Sequence, residues 1–255
     1  MPRSTHGGRH ELGQNFLTHT PTRDRIATLV RQTSGPILEL GSGDGALTRP
    51  LAGLGRPLTA IDVDEHRVRR LRSALPGVRV ETADAMSFPL TAEVVVGNIP
   101  FHLTTPILRR LLSARRWQNA ILLTQWEVAR KRAGVGGGTM MTAQSAPWFE
   151  FGLEGRVPAW GFSPQPSVDG GLLSITRRGS PLVSPSDRGA YEAFIRAMFT
   201  ARGGTLDAVT ATASRVPRPR ARRALAAVGA ATTRLPRDLT PSQWAGLWQH
   251  LSPTR

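Results

Sequence analysis

The feature that most constrains this chain is an alternation. Apolar runs of strand length occur at Pro36–Leu40, Leu58–Val63, Val78–Glu81, Val94–Gly97 and Ala120–Leu123. Helix-like stretches at Ala46–Gly53, Glu65–Leu75 and Thr105–Ser113 lie between them, and Arg25–Gln32 precedes the first run. Strand and helix in turn predict parallel βαβ units with right-handed crossovers, and so a doubly wound α/β sheet. Trp148–Val157 and Gly171–Arg177 read as two more strands, separated by a Pro/Gly-rich loop, which could close the sheet with an antiparallel edge. The pattern changes after RRGSPLVSPSD: Asp187–Phe199, Arg220–Val228 and Pro241–Leu251 read as helices with no further strand. The expected organisation is a catalytic domain over residues 1–179, with residues 1–12 as a flexible basic tail, and an all-helical domain over 180–255.

Composition excludes several classes. The 255 residues include no cysteine, which removes disulfides, thiolate metal sites and cysteine nucleophiles. No apolar run approaches the roughly 18 residues of a membrane span, and the N-terminus lacks a signal-peptide core, so a cytoplasmic protein without membrane contact is expected. Lys+Arg is 33 against Asp+Glu 18, a formal charge of +15, and Lys131 is the one lysine. A biased genome explains arginine in place of lysine but not the surplus of positive over negative. That surplus favours a polyanion, with nucleic acid ahead of a membrane surface.

The first strand runs into ILELGSGDGALTRPL. Gly41, Gly43 and Gly45 allow a sharp turn and close approach of a ligand to the following helix N-terminus. The spacing is G-x-G-x-G, not the G-x-G-x-x-G of a pyrophosphate loop, and Glu39 and Asp44 bring negative charge where a pyrophosphate would sit. Asp62 follows Gly41 by 21 positions, where an acid holds a ribose diol, and Asp84 ends the third strand, where it can accept from an adenine amine. Acids at three successive strand ends suit a nucleoside carrying positive charge. S-adenosyl-L-methionine fits; a nicotinamide dinucleotide does not, which argues against a dehydrogenase.

At the fourth strand end stands GNIPF, 97–101. Asn98 can accept a hydrogen bond from an exocyclic amine through its side-chain oxygen, the carbonyl between Ile99 and Pro100 can accept one from the second N–H, and Phe101 offers a stacking face for a flipped base. Two acceptors on the hydrogens of an adenine N6 would aim its lone pair at a methyl group. Alone, N-I-P-F reads as a Pro-terminated strand with a core Phe. After three acidic strand ends it reads as an amine-methylating site.

HELGQNFL (10–17), LELGSGDG (38–45), AIDVD (60–64), ADAM (83–86) and GNIPF, in that order, resemble the ribosomal RNA adenine N6-methyltransferases over about the first 178 residues. GNIPF and the QWEVARKRAG…MMTAQSAPWFEF stretch are more similar to the Erm branch, which acts on 23S RNA and confers macrolide–lincosamide–streptogramin B resistance, than to the KsgA-type small-subunit branch. The resemblance implies a Rossmann-like, seven-stranded, mostly parallel sheet. It implies that Gln14, Asn15 and Leu17 line the methionine end of S-adenosyl-L-methionine. Glu39, Gly41 and Gly43 form its loop, Asp62 and Val63 meet its ribose, Asp84 and Ala85 its adenine, and Asn98 lies beside it. Asn98, Ile99, Pro100 and Phe101 would receive the target. The family more often has Glu where Asp62 stands.

Arg109, Arg110, Arg115, Arg116, Arg130, Lys131 and Arg132 follow the active strand ends and are expected to track phosphates, as is the cluster Arg215, Arg218, Arg220, Arg222 and Arg223. The basic segment Arg3–Arg9 is expected to order on RNA. Gly134–Gly138 reads as a mobile loop, His102 as structural, and Trp244 and Trp248 as core anchors. The partner expected is 23S rRNA, protein-free or an early precursor, bound by a monomer with no metal. The alternatives are a small-subunit enzyme of the KsgA type and an RNA-binding factor that keeps the pocket without turnover.

Overall fold

The computed structural model describes residues 15–252. Arg3–Arg9 and Gln14 lie outside the described residues. By compactness the chain divides into two units, one of residues 1–129 with 152–175, the other of 130–151 with 176–255. Residues 130–151, which the sequence reading gives to the catalytic domain, group with the C-terminal helices.

The strands are β1 (Phe16–Leu17), β2 (Ile37–Leu40), β3 (Leu58–Asp62), β4 (Arg79–Thr82), β5 (Val94–Asn98), β6 (Asn119–Gln125), β7 (Phe149–Val157), β8 (Phe162–Ser163) and β9 (Gly170–Arg177). Seven form one sheet in the order β4-β3-β2-β5-β6-β9-β7. The pairings β2 with β3, β3 with β4, β2 with β5 and β5 with β6 are parallel. The chain steps outward from β2 to β4, then returns to lay β5 on the other side of β2. The order therefore reverses between β2 and β5, where a doubly wound sheet opens its crevice.

The central strands are buried on both faces, as their uninterrupted apolar runs require. All four residues of β2 are buried, and Val94, Val95 and Val96 are fully enclosed. Helices α1 (Thr20–Arg31), α2 (Thr48–Ala52), α3 (Glu65–Ala74) and α4 (Thr104–Ser113) cover the faces, and Ile26, Val30, Leu51, Val68 and Leu71 carry their packing into the core. Arg56 fastens the end of α1 to the approach to β2: its guanidinium donates to the carbonyls of Val30 (2.8 Å) and Gly35 (2.5 Å).

The expected strands and helices of this sheet are present to within one or two residues, except that α1 starts five residues before Arg25. The sequence reading had no counterpart for the two-residue ladder in which β1 pairs antiparallel with β8, Phe16 opposite Ser163 and Leu17 opposite Phe162. It seats residues 15–17 beside the loop that follows β7.

The second unit contains α6 (Met140–Ser145), α7 (Arg188–Thr200), α8 (Leu206–Ser214), α9 (Arg218–Ala227) and α10 (Pro241–Leu251), while α5 (Trp126–Arg132) runs into it. Trp244 and Trp248 are core anchors here. Trp244 is buried, edge-on to Phe194, and the Trp248 ring lies 5.9 Å from that of Tyr191. Helix α8 has no counterpart in the sequence reading. Its buried Asp207 accepts from Arg218 Nε at 2.7 Å and Arg222 Nε at 2.6 Å, tying α8 to α9. Gly138 N donates to Arg237 O at 2.6 Å, so the Gly134–Gly138 segment has a fixed neighbour within this unit. No helix among the described residues is long and apolar enough to cross a membrane.

Candidate active site

The site grows from the turn after β2. Gly41, Gly43 and Gly45 all have positive φ (74°, 50° and 84°), which glycine adopts at little cost. At two of them space is short as well: a Cβ on Gly43 would lie 3.1 Å from the Phe16 ring, and one on Gly45 would lie 2.5 Å from Leu71. Asp62 holds the turn from the neighbouring strand. It is buried, its Oδ2 accepts from Gly43 N at 2.8 Å, and its Oδ1 accepts from Asp64 N at 2.9 Å. Each oxygen keeps a second lone pair for a ligand hydroxyl.

Asp64 caps α3 by accepting from the backbone of His66 and Arg67. Arg67 then reaches back. It pairs with Asp44 of the glycine turn and with Asp64, and its guanidinium carbon sits 4.2 Å from the centre of the Phe16 ring. The negative charge of Asp44, read from sequence as suited to a ligand cation, is answered by the protein's own arginine. Arg67 and Phe16 are site-building residues that the sequence reading did not single out. The signal available was the i, i+3 spacing of Asp64 and Arg67.

Glu39 lies beneath the turn and is 1% exposed. Burial pushes its carboxyl from 4.5 up to about 8; neighbouring Thr48 pulls it partly back and the charge of Asp62 adds to the rise. Its Oε2 has no hydrogen-bond partner among the described residues. An unpartnered buried oxygen is costly, and the residue borders a cleft of about 290 Å³ lined also by Phe16, Gly41, Gly43 and Asn98.

At the end of β5, Pro100 (φ −52°, ψ 131°) opens a single 3₁₀ turn, Phe101–Leu103, that leads into α4. Proline suits that place because it has no N–H to leave unpaired. The turn stops the strand at Asn98 and lifts the next residues over the sheet edge. Asn98 Nδ2 donates to Asn15 O at 2.7 Å, which orients the amide and leaves Oδ1 as an acceptor. Ile99 is buried, and its N–H donates to Leu123 O at 2.9 Å. A narrow gap of about 40 Å³ is lined by Asn15, Phe16, Gly41, Gly43, Asp62, Asn98, Ile99, Pro100 and Phe101. Four separate motifs of the sequence reading meet there. Leu17 is buried beside them and also borders the Glu39 cleft.

Val63, half-exposed, follows β3, and Asp84 lies past the end of β4 with Oδ1 accepting from Met86 N at 2.7 Å. The Ala85 carbonyl is taken by Arg110, which donates to it at 3.0 Å and also to Phe88 O. Arg110 is therefore a tie between α4 and the loop after β4, not an outward phosphate contact. Arg132 donates to Thr139 Oγ1 at 2.6 Å and Arg130 to Val135 O at 3.3 Å, so neither is the simple surface cation that the sequence suggests. Arg109, Arg115, Arg116 and Lys131 are exposed. So is His102, beside the site. No group of three or more His, Cys, Asp or Glu among the described residues could hold a metal.

Comparison with known proteins agrees with this geometry. Residues 5–223 match the model of the family described as ribosomal RNA adenine dimethylase. Over 200 residues, 77% of this chain and 79% of the relative, the sequence is 54% identical to an rRNA adenine N-6-methyltransferase of Corynebacterium diphtheriae. It is 47% identical to the mycinamicin-resistance protein MyrB of Micromonospora griseorubida, over 95% of this chain and 79% of that one. Among solved structures, the 23S rRNA methyltransferase ErmE superposes with a TM-score of 0.85 at 32% identity, covering 94% of this chain and all of that one.

The state of Glu39 gives a pH test. Between 4.5 and about 8 the folded protein holds a proton here that the unfolded chain has lost, so unfolding free energy falls as pH rises through that window and levels above it. Glu39→Gln removes this dependence. Its melting temperature relative to the parent should rise on going from about pH 5 to about pH 8.5. A difference that is the same at both values would mean that Glu39 is not held protonated.

Proposed function

We propose, for a chain that belongs to the ribosomal RNA adenine dimethylase family, that it transfers methyl groups from S-adenosyl-L-methionine to N6 of an adenine in 23S ribosomal RNA. The consequence would be macrolide-type resistance, in line with the resistance relative and the ErmE likeness. The observation that carries the reading is the meeting of Asn98, with its amide oriented by Asn15, and the Asp62-held glycine turn at the point where the strand order reverses.

The residues fit the cofactor. Asp62 offers both carboxylate oxygens to ribose hydroxyls, and Val63 and Asp84 follow at adjoining strand ends for the adenine, with Ala85 beside them. The cleft bordered by Glu39 and Leu17 suits the methionine end, with Asn15 in the adjoining gap; Gln14 would join them. When bound, the cofactor supplies a methyl on a cationic sulfur that leaves as a neutral thioether, so no acid is required.

The protein's part is to position N6. Asn98 Oδ1 accepts a hydrogen bond from one N6–H and the Ile99 carbonyl accepts one from the other, drawing the nitrogen out of conjugation with the ring. Pro100 fixes that carbonyl, and Phe101, half-buried, gives the base a face to stack on. These acceptors act most strongly when N6 becomes tetrahedral, which is where binding energy accelerates a reaction. The methylated amine is acidic enough to lose its proton to water, and His102 has no step to perform. Arg109, Arg115, Arg116 and Lys131, with the exposed Arg220 and Arg223 of the helical unit, supply phosphate contacts. The two units act as a sheet-bearing catalytic domain and a helical domain in a cytoplasmic monomer, with no metal and no membrane.

Labelled methyl transfer to protein-free large-subunit RNA, run beside intact small subunits, tests the reading. Label should enter the large-subunit RNA at adenine; transfer only to small subunits would replace this reading with the KsgA-type one.

Asp62→Ala tests the cofactor assignment. It removes hydrogen bonds to a charged group, each worth about 1.5–3 kcal/mol. Cofactor affinity by calorimetry should fall at least about tenfold while RNA affinity stays close to the parent's. An unchanged cofactor affinity would remove Asp62 from the ribose.

A further inference from the structure

The carboxyl ends of the parallel strands hold a hollow that the proposed chemistry does not use. At the end of β6 lies a cleft of about 510 Å³, lined by Gln125, Trp126, Arg156, Val168 and Asp169 among others. That is within the roughly 300–1,000 Å³ of ordinary ligand clefts. Strand β6 lies beside β5, on the side away from β2. Asn98 pairs with Leu123, and Gln125 is two residues further along the same strand. Neighbouring strands lie about 4.8 Å apart and rise about 3.3 Å per residue, which puts the cleft floor roughly 8 Å from the Asn98 backbone. The sheet edge therefore runs from cofactor cleft to target to this hollow, with the last step about one nucleotide of an unstacked strand.

Asp169 sets the walls. Its carboxylate accepts from Arg156 Nε at 2.6 Å and from Ala159 N at 2.8 Å, and its carbonyl accepts from Trp126 N at 2.9 Å. Two separate stretches of chain, at 126 and at 156–159, are thereby fixed to one residue. The Arg156 guanidinium carbon lies 5.3 Å from the centre of the Trp126 ring, a cation–π contact. Val168 is 43% exposed at the rim, and Trp160, on the same β7–β9 connection, is 66% exposed. Trp160 stands outside the cleft, edge-on to His19 at 5.0 Å.

The chemistry of these walls selects among ligands. Asp169 answers the charge of Arg156, so a bare phosphate gains little, and an acidic ligand would meet Glu127 as well. A purely apolar ligand would waste Gln125. A planar heteroaromatic ring uses the indole face, the valine rim and the donor and acceptor of the Gln125 amide together. We propose that the β6 cleft takes an unpaired base of the same RNA strand, immediately next to the methylated adenine, stacked on Trp126. This rests on the proposed RNA adenine activity, and it makes the enzyme a reader of one flanking nucleotide as well as of the target.

The test uses an RNA fragment that the parent methylates, with the modified adenine mapped from the product, and two versions made abasic at one or the other neighbour. Removing the base at one neighbour should lower the parent's kcat/KM roughly tenfold, a typical loss for one stacked base. Trp126→Leu on intact RNA should lose a similar factor, and on the abasic RNA should lose nothing further, since both changes remove the same contact. Val168→Asp, at the exposed rim, should show the same non-additivity and covers the case in which Trp126→Leu lowers the melting temperature. Cofactor affinity should be unchanged in both variants. Indifference of the parent to either abasic site, or losses that simply multiply, would overturn the subsite and leave the proposed activity standing. A parent that methylates no RNA would overturn both.

Discussion

The carboxylate of Asp62 is the constraint on which the site depends. Oxygen atoms from one residue at the end of β3 hold Gly43 N of the turn after β2 and Asp64 N at the start of α3. Without that grip the glycine turn, with positive φ at Gly41, Gly43 and Gly45, would be free to take many other forms. With it, Gly43 is packed against Phe16, Phe16 is covered by Arg67, and Arg67 is anchored by Asp44 and Asp64. Asn15, next in the chain to Phe16, then presents the carbonyl that orients Asn98. A chain of short contacts thus joins the Asp62 carboxylate to the amide that would hold the target amine.

The same site stores an unfavourable term. Glu39 is enclosed, held protonated near neutrality by its burial, and lacks a partner for Oε2 among the described residues. A folding optimum would place glutamine or an apolar residue there. Polar groups left unsatisfied in a core are expected where a ligand completes them. Glu39 lies in the strand that leads into the glycine turn.

Much of this was legible in the sequence because it is local. Apolar runs marked the parallel strands, and glycine spacing with acids at strand ends pointed to the edge where the candidate site lies; the order of motifs placed Asn98 beside the loop. What was missed depends on partners far away in the chain. The β1–β8 ladder is two residues long and joins Phe16 to Ser163, so no periodicity announces it. Helix α8 reads LDAVTATAS, with Val209, Thr210 and Thr212 β-branched among its alanines and an acid on its buried face, and Asp207 is tolerable there because Arg218 and Arg222 reach it. Arginines were the least legible class. Arg110 and Arg115 look alike in the sequence, yet one is spent on the carbonyls of Ala85 and Phe88 while the other is exposed. Charge type is written in the chain, but the direction of a long side chain is not.

The central claim is that Asn98 acts on the reacting nitrogen and not on RNA affinity, and single-turnover methylation at saturating RNA tests it most directly. Asn98→Ala should cut the rate of the chemical step by at least about a hundredfold, the scale of losing one pre-organised polar contact in a transition state, while the RNA dissociation constant moves less than about threefold because phosphate contacts elsewhere dominate binding. A parental single-turnover rate in Asn98→Ala, or a loss that appears wholly in RNA affinity, would contradict the account.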